Sequence, residues 1–274
     1  MNSKSKVAST ANPDAHAGSL KPGDSYVQSF ARGLEVIRSF SSAAPRQTLT
    51  EVATRTGLTR AGARRILLTL QTLGYVESDG KLFALTPRIL DLGFAYLSSM
   101  PMWNLAEPVM EALVEQVKES CSAGVLEGTD IVYVMRVSTR KIMRNALGVG
   151  SRLPAYCTSI GRMLLAGLPD AEVARLLAAS PIEARTRYTI TDTGALLAKV
   201  QQARRQGWVQ INQELEEGLV SIAAPIINRS GRTLAAINVS GQVNRTSARQ
   251  MQETMLPPLL EAAQSISRLL ASQP

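Results

Sequence analysis

Histidine is almost missing from this chain: one, His16, occurs among 274 residues. It lies in a stretch of Ser, Ala, Lys, Pro and Gly with hardly any large apolar residue, so residues 1–24 are expected to form a disordered tail. The folded part therefore holds no Ser-His or Cys-His pair and no histidine-containing zinc site. Cysteine is nearly as scarce. Cys121 and Cys157 show neither metal-ligand nor redox spacing and fit reduced thiols of a cytoplasmic protein. No apolar run approaches the ~18 residues of a membrane span, and the N-terminus lacks a signal-peptide apolar core. Gly148 and Gly150 are not followed by G-K-S/T, so no phosphate-binding loop is present. No internal repeat is found.

What is present in excess is positive charge. The formal net charge is +8 with a pI near 9.8, which suits a polyanionic partner. Residues 1–100 hold 12 Lys/Arg against 7 Asp/Glu, and the remaining 174 hold 18 against 15, so the excess is denser in the N-terminal part. The length suggests about two domains, and a hydrophobic content of 45% is enough to build cores.

The basic part is organised around Thr59 to Leu73. At 100° per residue, Ala63, Ile66, Leu67, Leu70 and Leu73 form one apolar stripe. Arg64 and Arg65 lie outside, Ala61 and Gly62 keep the start slim, and Thr59 stands where an N-cap is wanted. Before it, Thr48 and Glu51 match a capping box and lead a short helix to Gly57. Helix, glycine turn and a slim basic second helix form the geometry that enters a DNA major groove. The same pattern also occurs on plain solvated helices. The next residues decide between them: alternating runs flank Asp79-Gly80, a hairpin signal, with Lys81 at the tip. A hairpin directly after a recognition helix is a wing. A first helix from Tyr26, with Phe30, Leu34, Val36, Ile37 and Phe40 inside, is expected to pack beneath it, giving a DNA-binding domain over 25–86.

Thr86-Pro87 starts a helix whose Ile89, Leu90, Leu92, Phe94, Ala95 and Leu97 are apolar on more than one face, a linker over 87–101 that needs a second chain or domain to cover it. Another helix runs from Trp103 to about Lys118. Past Cys121 the period becomes 2, with strands expected at 122–127, 131–137, 142–147, 208–212, 219–227 and 234–240. Helices are expected at 158–168, from a cap at Asp170, from a cap at Thr193, and over 247–270. Residues 102–274 therefore read as an α+β domain with one mainly antiparallel, six-stranded sheet. In the segment Gly148 to Arg162, a Gly/Pro-shaped loop delivers a helix start at which Thr158 and Ser159 add hydroxyls to free N–H groups, a place for a small carboxylate. Glu214, Glu216 and Glu217 read as a solvated loop, and Cys157 as structural or lining a ligand pocket.

At this point the chain resembles the isocitrate-lyase-regulator (IclR) family of bacterial transcription factors. The matching residues are LTEVATRTGLTRAGARRILLTL with TLGYV, the wing DGKLFALTPRILDLG, VGSRLPAYCTSIGRMLLAGLP, ELEEGLVSIAAPIIN and AAINVSG, which together span nearly everything after Tyr26. RILDLGFAYLSSM and SRLPAYCTSIGRMLLA are most similar to the branch that responds to protocatechuate, 4-hydroxybenzoate or β-ketoadipate. The resemblance implies a winged helix-turn-helix joined to a GAF-like effector domain, with no enzymatic activity, no metal and no cofactor beyond a small organic-acid effector. It implies a dimer or dimer of dimers on a palindromic double-stranded DNA operator, with no membrane partner. Thr48, Thr59, Arg60, Ala61, Arg64, Arg65 and Lys81 are the expected DNA-binding residues. The expected effector site comprises Thr158, Ser159, Ile160, Gly161, Asn212, Ser221, Asn238 and Ser240, with Met135 and Leu153 as apolar walls. Many family members are acidic near Ile211-Asn212, where this chain has an amide. A hydrolase fused to a DNA-binding domain and a winged helix used only for protein contacts are the two alternatives.

Overall fold

The computed structural model describes residues 26–100, 102–139 and 147–272. The tail expected over 1–24, with His16, lies outside them, as does the strand expected from Ile142, apart from its last residue Leu147, which is in no strand. The chain divides into two compact units, Met1–Ser99 and Met100–Pro274.

The first unit runs α1 (Gln28–Ser39), β1 (Arg46–Thr48), α2 (Leu49–Thr56), α3 (Arg60–Thr72), β2 (Val76–Ser78), β3 (Leu82–Leu85), a 3-10 turn (Pro87–Ile89) and α4 (Leu90–Ser98). The capping box forms as the spacing requires. Thr48 Oγ1 accepts the Glu51 N–H at 3.3 Å while the Glu51 carboxylate accepts the Thr48 N–H at 2.7 Å, which holds that carboxyl below its ordinary value. Gly57 ends α2 at φ 66°, a left-handed turn that side chains resist, and Thr59 caps α3 by accepting the Gly62 N–H. Val36, Val52, Ala53, Ala63, Leu67, Leu70 and Val76 fill the core between the helices.

Three expectations are corrected by this unit. Phe30 and Leu34 are 68% and 42% exposed, because α1 is buried only toward its C-terminal end, at Val36 and Phe40. Leu73 caps the end of α3 and is exposed rather than on the buried stripe. The wing is also not a simple hairpin: β1 pairs with β3, giving the order β1-β3-β2. Arg-Gln-Thr carries no apolar alternation, so no strand was legible there. Gln47 is nevertheless buried, its amide donating to the carbonyls of Ser39 and Ala44.

The second unit runs α5 (Met102–Val117), β4 (Ser120–Glu127), β5 (Asp130–Val137), β6 (Arg152–Pro154), α6 (Ser159–Ala166), α7 (Asp170–Ala179), α8 (Thr193–Gln206), β7 (Val209–Asn212), β8 (Leu219–Ile227), β9 (Thr233–Gln242) and α9 (Ala248–Ser272). The six strands lie in the order β6-β5-β4-β9-β8-β7, antiparallel throughout, which is the expected α+β architecture. One edge strand was not expected: Arg152–Pro154 forms it, in the segment read as a loop. Two caps shift as well. Asp170 is the first residue of α7 and bonds Arg204 and Gln201, while α8 is capped by Asp192, not Thr193, through the Ala195 N–H at 2.7 Å.

Cross-strand register sorts the side chains of this sheet. Cys121, Ala123, Ile222, Ala224, Ile237 and Val239 share one face, buried under α5 and α9. Ser122, Gly124, Ser221, Ala223, Ala236, Asn238 and Ser240 share the other, over which α6 lies with α7 and α8 behind it. A polar band of Ser122, Asn238, Ser240 and Ser221 thus crosses three strands beneath the start of α6.

Candidate nucleic-acid interface and effector cavity

In the first unit the outer surface of α3 has two flanks. Arg60, Arg64, Leu68 and Gln71 face β2 and β3, lining a groove with Thr48, Thr50, Ser78, Gly80 and Lys81. Thr59, Ala61, Gly62 and Arg65 line a separate groove toward α1. The structure therefore divides the expected DNA-binding residues between two sides of one helix. The Thr48 hydroxyl is engaged in the capping box, donating to Glu51 at 2.8 Å. Among the described residues no carboxylate pairs with Arg60, Arg64, Arg65 or Lys81, so this surface carries uncompensated positive charge.

Arg46, absent from the expected set, forms an ion pair with Asp79 at the wing turn, at 2.8 Å. Asp79 also accepts the N–H groups of Leu82 and Lys81, and these bonds, with Arg46, keep its carboxyl below the ordinary value. The tip that presents Lys81 is thereby held in one shape.

In the second unit a cavity of about 240 Å³ opens between the polar band of the sheet, the start of α6 and the loop after β7. Tyr133, Leu147, Cys157, Ile211, Leu215 and Leu219 give it apolar walls, and Arg136, Thr158, Ser159, Glu216, Ser221, Asn238, Ser240 and Gln242 its polar atoms. Five expected residues do not line it. Met135 fails because β5 carries a bulge: Ala123 pairs with Met135 but Gly124 with Tyr133, so Val134 is left over and the side-chain alternation flips. Tyr133 and Arg136 therefore share the cavity face, and Met135 goes to the other. Asn212 is exposed, and its neighbour Ile211 takes the inward position, one residue of strand alternation away. Ile160 is rotated from Ser159 along α6 into the sheet, against Gly124. Gly161 serves packing: a Cβ there would fall 2.3 Å from the Ala155 Cα. Leu153 packs on the core behind.

Hydrogen bonds already made define what the cavity can take. The Thr158 hydroxyl has no proton left for a carboxylate, since it donates to the Pro154 carbonyl at 2.9 Å while accepting the Gly161 N–H at 3.2 Å. Both amide hydrogens of Asn238 are placed, on Ser159 Oγ at 3.2 Å and Ser240 Oγ at 3.1 Å. Its carbonyl oxygen Oδ1 is buried with no partner among the described residues. The two serine hydroxyls keep a proton each to donate. Arg136 gives one N–H to Ser122 at 3.1 Å and one to Ser138 at 3.3 Å, and meets no carboxylate among the described residues. Arg152, the cation expected at the rim, is instead paired with Glu127 and Asp130 on the surface.

The acidic loop also departs from expectation. Glu216 and Glu217 are exposed, but Glu214 is buried and holds Arg162 through two bonds of 2.8 and 2.7 Å. Burial pushes the Cys157 thiol up to about 11 and the Cys121 thiol up to about 12, so neither is a thiolate nucleophile near neutral pH.

Comparison with known proteins agrees with this geometry. Residues 29–80 match the IclR helix-turn-helix domain, and residues 94–268 match the bacterial transcriptional regulator IclR C-terminal domain. The chain is 43% identical over 246 residues to the Pca regulon regulatory protein of Pseudomonas putida, covering 89% of this chain and 84% of that one. A putative transcriptional regulator from Rhodococcus sp. RHA1 is 48% identical and superposes with a TM-score of 0.82 over 89% of this chain and 98% of its own. An IclR homologue from Microbacterium hydrocarbonoxydans, solved with 4-hydroxybenzoate, is 26% identical with a TM-score of 0.78, over 88% of this chain and 98% of its own. A matched helix-turn-helix unit and a matched C-terminal unit favour a transcriptional regulator over the fused-hydrolase and protein-contact alternatives: the chain belongs to the IclR family of bacterial transcriptional regulators.

Proposed function

We propose that this regulator controls genes of aromatic-acid breakdown and that its effector is a small organic acid, a hydroxybenzoate or β-ketoadipate. The observation that carries this is the polarity of the cavity. Arg136 offers unspent N–H groups to a carboxylate, Tyr133, Leu215 and Leu219 offer apolar walls, and the Ser159 and Ser240 hydroxyls keep a proton each for an acceptor oxygen. An aromatic acid with a ring hydroxyl supplies all three. The relative solved with 4-hydroxybenzoate and the similarity to a Pca regulon regulator support the same class. A carboxylate placed on Arg136 replaces the expected one on the first turn of α6.

On the DNA side, Arg60, Arg64 and Lys81 would meet the backbone and base edges from the wing side of α3, and Arg65 and Ala61 from its α1 side. Leu90 and Phe94 on one side of α4 and Leu92 and Tyr96 on the other are all exposed, apolar surface that a second copy would cover in a cytoplasmic dimer or dimer of dimers on a palindromic operator. Calorimetry with 4-hydroxybenzoate, benzoate and β-ketoadipate tests the effector. A hydroxylated ring should bind tighter than benzoate by about 1–3 kcal/mol, the cost of leaving a buried polar group unpaired. Tight binding of a sugar or an amine, with none of these acids, would overturn the proposal.

A further inference from the structure

Arg162 and Glu214 lie 52 residues apart, are both buried, and make a two-pronged ion pair. Neither lines the cavity, yet each sits beside a part of it. Arg162 is one helical turn beyond Ser159 on α6. Glu214 directly precedes Leu215 and Glu216, which wall the opposite side. Arg162 also donates to the Tyr156 carbonyl at 2.6 Å, tying in the strand-to-helix segment that bears Cys157. The loop is fastened from a third direction: Thr186 and Thr189 donate to the carbonyls of Gln213 and Glu214, each at 2.6 Å. The α6 side of the cavity and the loop opposite are thus both referred to this one pair.

Stability alone does not account for it. Taking two charges out of water is expensive, and well-packed apolar residues in place of a buried pair are often neutral or stabilising. One Arg162 donor, Nε, is even left without a partner among the described residues. What an ion pair supplies and an apolar contact does not is direction: two parallel bonds set both the distance and the angle between α6 and the loop.

We infer that Arg162 and Glu214 are positioning residues of the effector site, a latch that sets the loop 213–219 against α6 and so determines effector affinity. The inference rests on the effector reading above, and the experiment separates the two. Wild type is titrated with 4-hydroxybenzoate, protocatechuate and β-ketoadipate, and binding of none sinks the effector reading itself. With an acid that binds, Glu214→Gln and the apolar pair Arg162→Met/Glu214→Leu are compared with wild type for effector affinity, operator affinity, melting temperature and amide exchange over 213–219. Both variants should lose at least roughly tenfold in effector affinity, with faster exchange in the loop and unchanged operator binding. The apolar pair should melt near wild type, which separates positioning from folding. Should Glu214→Gln fail to fold, Arg162→Lys, which keeps the charge but not the fork, is read in its place with the same expected loss. An apolar pair that folds and binds the acid within about twofold of wild type shows the pair to be packing only and overturns the inference.

Discussion

Arg136→Met is the sharpest test of how the effector lies in its cavity. The substitution keeps an apolar stem and removes the one cationic side chain that lines the site among the described residues. A guanidinium has five N–H groups; in this cavity Ser122 and Ser138 take one each, which leaves three for a ligand while holding the fork in place. A hydrogen bond to a charged group contributes about 1.5–3 kcal/mol, and each 1.4 kcal/mol is a factor of ten in Kd. Arg136 is only half-buried, so screening favours the lower end, and a loss of about tenfold or somewhat more is expected. The control is Ser159→Ala, which removes one neutral hydroxyl and should cost only about 0.5–1.5 kcal/mol. Calorimetry with 4-hydroxybenzoate at low and high salt reads both, and the arginine loss should shrink as salt rises. If Arg136→Met binds as wild type does while Ser159→Ala loses tenfold, the carboxylate sits on the first turn of α6 and the orientation on Arg136 is wrong.

Two further outcomes concern DNA and assembly. Arg64→Ala should cost roughly 1–3 kcal/mol if the side chain reads a base edge, relaxing specificity at one position. Arg65→Ala, on the other flank of α3, should weaken all sequences alike and flatten the salt slope if it meets a phosphate. Operator binding of the double variant equal to wild type, in gel shifts across salt, refutes the interface. Glutamates at Leu92 and Phe94, 50% and 69% exposed, should yield monomers or aggregates in light scattering. A wild type that is already a stable monomer at micromolar concentration removes that role from α4.

The elements that local chemistry dictates were legible residue by residue. Thr48 and Glu51 three apart, Gly57 past the end of α2, Thr59 before α3 and Asp79-Gly80 between two alternating runs each name a cap or turn whose energetics need nothing distant. The same holds for the long period-2 runs that became β4, β5, β8 and β9. What failed was whatever depends on a partner far along the chain. β1 is a strand only because β3 lies beside it, and β6 only because β5 does. The bulge at Val134 cannot be seen in VYVMRV, where strict alternation puts Met135 with Tyr133, so the place of Arg136 in the cavity stayed hidden. A run of glutamates looks solvated until the fold brings Arg162 to Glu214. Sequence alone therefore determined the fold class, the helix-turn-helix and the family. Tertiary structure decided which side chains meet in the cavity, because register, bulges and buried charge pairing are properties of two strands or two helices at once.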